Sequence, residues 1–138
     1  MDHVARLYVR ASVVYLVLSA LGGVYLAMDQ SYPMQYRTAH SHLLLIGWVT
    51  LALAGALLAR GGAPEMLSLA GFALVNVGLV AMTCAWIVDA TLQLAWMRWA
   101  FAGAGTVELF GLFLTAAAIW MSDGRRAPGA VSTGDTAT

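Results

Sequence analysis

Tyr36-Arg37-Thr38-Ala39-His40-Ser41-His42-Leu43-Leu44-Leu45-Ile46-Gly47-Trp48 opens an apolar run that continues to Leu58. From Ala39 onward it has the length of about 20 residues that crosses a hydrocarbon core. Two imidazoles therefore stand at the entrance of a transmembrane segment, with Arg37 one helical turn before the first. Ionisable side chains within a membrane are costly, and each is by default a candidate functional group. Two histidines in three residues are equipment for holding a metal or a haem.

The rest of the chain has the same membrane character. Its 138 residues are 61% apolar and 10% charged, against roughly 25% charged in soluble domains. Four apolar runs predict an all-α integral membrane four-helix bundle, with helices over 7–28, 39–58, 66–88 and 96–121 forming one domain, 1–121. The stretch Asp29-Gln30-Ser31-Tyr32-Pro33 ends the first helix, because Pro33 cannot continue a helical ladder. Gly61, Gly62 and Pro64 make the second break, and Pro64 with Glu65 suits the start of the third helix. Asp89 to Gln93 is a weaker break. The tail 122–138 is rich in Gly, Ala, Ser and Thr, offers little apolar surface to bury, and is expected to be disordered. The end of the first run, Leu26-Ala27-Met28-Asp29-Gln30, lacks a small-x-small cleavage pattern, so that run is expected to be a retained helix.

Formal net charge is zero, which gives no electrostatic footprint for a nucleic-acid partner. All seven basic residues are arginine. Arg6, Arg10, Arg60, Arg125 and Arg126 lie on one side of the bundle and Arg37 and Arg98 on the other. The positive-inside rule places both termini in the cytoplasm and the histidine pair toward the periplasmic face of a bacterial inner membrane. His3 falls on the opposite side, about 30 Å away. Cys84, the single cysteine, reads as a small apolar residue. Trp and Tyr residues cluster near helix ends as interfacial belts. Glycines such as Gly47, Gly55, Gly71 and Gly78 suit close helix packing in lipid.

On a regular α-helix, residues two apart point about 200° apart, so His40 and His42 cannot grip one ion. His40 shares its stripe with Leu44, Gly47, Leu51 and Gly55, a face with room for a flat group. His42 shares its stripe with the bulkier Ile46, Val49 and Leu53. His40 is accordingly the expected axial ligand of a haem lying along the helix beside Gly47, and Arg37 is placed to pair with a propionate. Interfacial snorkelling is the alternative for Arg37. For His42 the options are a propionate contact, a second ligand position, or a headgroup-level residue. The other axial ligand would come from a second copy in a symmetric homodimer, or from Met28, Met34 or Met97. The same imidazoles and thioethers would also suit Cu(I). Glu108, deep in the fourth helix, is either a proton or quinone contact or the partner of Asn76, Thr83 or Ser19 in an interhelical hydrogen bond.

The stretch Arg37 to Trp48 resembles the second helix of subunit I of the haem-copper oxidases, on the nitric oxide reductase and cbb3-type branch. In that family a histidine at the start of this helix is an axial ligand of low-spin haem b. His40 matches that position, and His42 falls where the reductases tend to carry a small polar residue. The chain is also similar to small four-helix proteins described only as subunit-I-like. The resemblance covers one helix and its approach. A full subunit has many more helices, a second haem ligand on a late helix and further histidines for a copper or iron site, which this chain lacks. It therefore implies a haem protein of electron transfer or redox and gas sensing, with a respiratory-chain partner, and not reduction of oxygen or nitric oxide at a binuclear centre. The alternatives are a copper or haem assembly factor and a cofactor-free accessory subunit.

Overall fold

A computed structural model describes residues 3–28 and 31–124, which form four long helices. They are α1 (His3–Met28), α2 (Met34–Leu58), α3 (Glu65–Leu92) and α4 (Met97–Gly124). Each contains a window long and apolar enough to cross a membrane, and the chain is a multi-pass membrane protein. The radial distribution of side chains supports this. Only 17–28% of the residues in each span are buried within the protein, while Leu21, Val24, Phe110 and Phe113 point outward. Ser12, Ser19, Ser68, Glu108 and Thr115 are buried. Such an apolar exterior around a partly polar interior suits lipid, where association depends on close packing and interhelical hydrogen bonds.

Small residues set how near the helices come. A methyl group on Gly78 of α3 would sit 2.5 Å from the Cβ of Glu108 on α4, and one on Gly111 of α4 would sit 2.5 Å from the Val75 nitrogen. These two glycines, with Gly71 against Thr115, bring α3 and α4 into backbone contact. Tyr8 reaches across the bundle, donating to the Ser68 carbonyl at 3.0 Å and lying 2.8 Å from the Thr115 hydroxyl. Tyr15 donates to Asn76 Oδ1 at 2.8 Å. The apolar core gathers around these two tyrosines with Leu51, Leu58, Val75 and Leu79.

Several boundaries differ from the sequence expectation. α2 begins at Met34 rather than at 39, because Pro33 fixes the entry (φ −52°, ψ 149°) and Thr38 donates to the Met34 carbonyl. The polar turn 34–38 is thus helical. α3 runs on past 88 to Leu92 and stops at Gln93, which adopts a left-handed conformation (φ 47°). α4 continues through 122–124, residues assigned to the tail from the sequence; the remainder of that tail, 125–138, lies outside the described residues. Within α2, Leu43–Thr50 forms a π-helix, a rare geometry that is frequent at functional sites. The Thr50 hydroxyl donates to the carbonyl of Leu45, five residues back, at 2.9 Å.

Candidate functional site

The early start of α2 changes the depth of both histidines. At 1.5 Å per residue, His40 lies about 9 Å and His42 about 12 Å along the helix from Met34. They sit roughly two turns into α2, and they face different neighbours.

His40 turns toward α1. Its Nδ1 is 3.2 Å from the Ser19 hydroxyl oxygen, and the same hydroxyl donates to the His40 carbonyl at 3.3 Å. The Ser19 hydroxyl can donate to that carbonyl while accepting a hydrogen bond from Nδ1–H, a pairing in which Nε2 carries the ring's lone pair. The edge carrying Cε1 and Nε2 lies over Gly23, where a methyl group would approach to 3.0 Å and 3.5 Å respectively. Gly23, Ala27, Arg37, His40 and Ser41 line an open groove of about 310 Å³. A separate apolar cavity of about 130 Å³ lies between α1, α2 and α3, with His40, Ser19 and Thr83 in its wall.

The structure brings Arg37 to the His40 groove and takes Gly47 away from it. Gly47 is buried against Tyr15, whose Cγ lies 2.7 Å from where a methyl would stand, and Gly55 is filled by Val9 and Tyr8. The expected glycine-lined face along α2 is therefore the seat of α1. His40, Gly47 and Gly55 all face α1, and what closes the stripe is α1 itself packing onto it. The small residues beside His40 come instead from Gly22 and Gly23 of α1, and Gly22-Gly23 was the sequence signal for them.

His42 turns toward α4. Its Nε2 lies 2.9 Å from Glu108 Oε2, with the His42 side chain 26% exposed and that of Glu108 5% exposed. Trp86 meets the imidazole edge-on at 4.9 Å between centroids, and Phe101 stacks behind Trp86 at 5.9 Å. None of Asn76, Thr83 or Ser19, the partners expected for Glu108, bonds to it. The carboxyl finds an imidazole because two ionisable groups taken into lipid satisfy one another. Asp89 accepts from Gln35 Nε2 at 3.3 Å, and Arg98 lies over Trp99.

With one imidazole packed against α1 and the other against α4, a single ion shared by both is not formed within one chain. No group of three or more His, Cys, Asp or Glu side chains converges among the described residues. Met28 and Met34 are exposed and Met97 is buried. For a haem, the donor chemistry at His40 fits: a lone-pair nitrogen, the opposite nitrogen anchored by a hydrogen bond as ligating imidazoles require, and Arg37 in the same groove. The space fits only in part. Ligand pockets run about 300–1,000 Å³, so the 130 Å³ cavity is too small for a tetrapyrrole and the 310 Å³ groove would cover only part of one. No protein-family model, no curated protein and no solved structure matches this chain.

Proposed function

We propose that this chain is a b-type haem protein of the bacterial inner membrane, acting in electron transfer or redox and gas sensing as a homodimer. His40 Nε2 would hold the haem iron, Arg37 would neutralise a propionate, and a second copy would cover the open side of the groove and contribute the other ligand. Both termini face the cytoplasm, as the arginine bias indicates. When bound, haem supplies a one-electron ferric/ferrous couple. Ser19 holds the imidazole in the ligating tautomer, and Gly23 leaves its Nε2 edge uncovered. His42 and Glu108 form a separate pair that replaces the ligand role expected for His42.

The observation that supports this reading is the Ser19–His40 arrangement. A histidine that was only an interfacial side chain would have no need of a buried serine fixing its tautomer and a glycine beneath its free nitrogen. The test is an absorption spectrum of the purified protein from haem-replete cells. A Soret band with sharp reduced α and β bands, lost in His40→Ala while the bundle stays folded, is the expected result. A colourless preparation, or full haem content in His40→Ala, rejects the reading, and a colourless preparation retaining copper moves His40 to a copper-handling role.

A further inference from the structure

One hydroxyl on the outer half of α2 is disposed unlike its neighbours. A serine or threonine on a helix in lipid commonly returns its proton to a carbonyl of the preceding turn. Half-buried Thr38 and the exposed Thr91 and Thr106 do so, at 3.1, 2.9 and 2.7 Å. Ser41 is exposed too, about a turn further into α2 than Thr38, yet its hydroxyl makes no hydrogen bond among the described residues. It stands instead in the wall of the 310 Å³ groove that also contains Arg37 and His40.

Spacing makes these side chains one patch. The π-helical stretch begins only at Leu43, so Met34–His42 keeps α-helical phase. Arg37 and Ser41 are four residues apart on it, which puts their side chains on the same face with Cβ atoms about 5–6 Å apart. The guanidinium has five N–H donors and takes a carboxylate beside the contact it already makes. The Ser41 hydroxyl offers one more donor to the same group. Across the groove, α1 contributes Gly23, Leu26 and Ala27, whose side chains carry no donor or acceptor. The arrangement suits a ligand with an apolar body against α1 and a carboxylate on α2.

We infer that Ser41 joins Arg37 in a carboxylate clamp, and that the carboxylate is a haem propionate. The inference rests on the haem reading and deepens it: His40 holds the iron, while Ser41 and Arg37 hold the charged edge. The propionate contact considered for His42 passes to Ser41, which faces the groove while His42 faces Glu108.

The experiment titrates protein from haem-deficient cells, in detergent, with haem b and with haem b dimethyl ester, whose propionates are capped, following the Soret band. Ser41→Ala should weaken haem b about three- to tenfold, the value of one hydrogen bond, and leave the ester unchanged. Arg37→Gln should show the same selectivity with a loss at least as large. Helical circular dichroism checks that each variant is folded. Equal weakening of both porphyrins, or of neither, in Ser41→Ala overturns the clamp and leaves ligation by His40 standing. Loss of co-purified phosphatidylglycerol in Ser41→Ala, with haem affinity unchanged, assigns the hydroxyl to a lipid phosphate and also overturns it. Wild-type protein that binds neither porphyrin rejects the haem reading and the clamp together.

Discussion

Removing either half of the His42–Glu108 pair should cost unequal amounts, and the inequality follows from exposure. Glu108→Leu leaves an imidazole whose side chain is 26% exposed and can recover hydration from the interface. The loss is then little more than one interhelical hydrogen bond, about 1 kcal/mol in membranes. His42→Leu leaves a carboxyl that is 5% exposed with no partner, held against Gly78 of α3. Stranding a buried ionisable group costs about 3 kcal/mol or more. The double variant removes both and should resemble Glu108→Leu alone, which makes the cycle strongly non-additive. Reversible unfolding of the bundle in mixed micelles, followed by helical circular dichroism, measures all three. The expected gap of about 2 kcal/mol is a change of roughly 30-fold in the unfolding equilibrium. Equal and additive losses would refute the reasoning, since they would mean that neither group depends on the other.

Gly78→Ala places a methyl against the Glu108 backbone; α3 and α4 must separate, costing about 1–3 kcal/mol, and the same unfolding assay should show it. Tyr8→Phe removes a buried hydroxyl that serves both Ser68 and Thr115 and should lower stability by about 1–2 kcal/mol. Ser19→Ala frees the His40 tautomer; the reduced haem spectrum should shift or haem content should fall while stability changes by less than about 1 kcal/mol. An unaltered spectrum in Ser19→Ala would detach the serine from the haem site.

Helix number and the membrane setting were readable from the length of the apolar runs, because lipid imposes a span and forbids unpaired backbone. Helix ends were less so. Hydropathy falls at 34–38, yet Pro33 decides where the ladder begins, and a polar helical turn is stable at a membrane surface. The partnership of His42 with Glu108 had a signal that went unused: each is an ionisable residue in lipid, and such residues tend to pair with one another. The π-helical stretch had none. Leu43-Leu44-Leu45-Ile46-Gly47-Trp48 carries no proline and reads as ordinary helix. Within it Gly47 receives Tyr15, a contact between positions 32 residues apart, and α1 thereby fills the face expected to hold a flat group.

That stretch also acts as an angular spacer. Were Leu43–Thr50 to take an ordinary α-ladder with its length unchanged, the segment before it would turn by roughly 100°, about one residue's worth, relative to the rest of α2. Inserted length and hydropathy would hardly change, so biogenesis would notice little. His40 would leave Gly23 and His42 would leave Glu108 in the same stroke. The phase of one helix, rather than its composition, is what keeps two imidazoles on two separate errands.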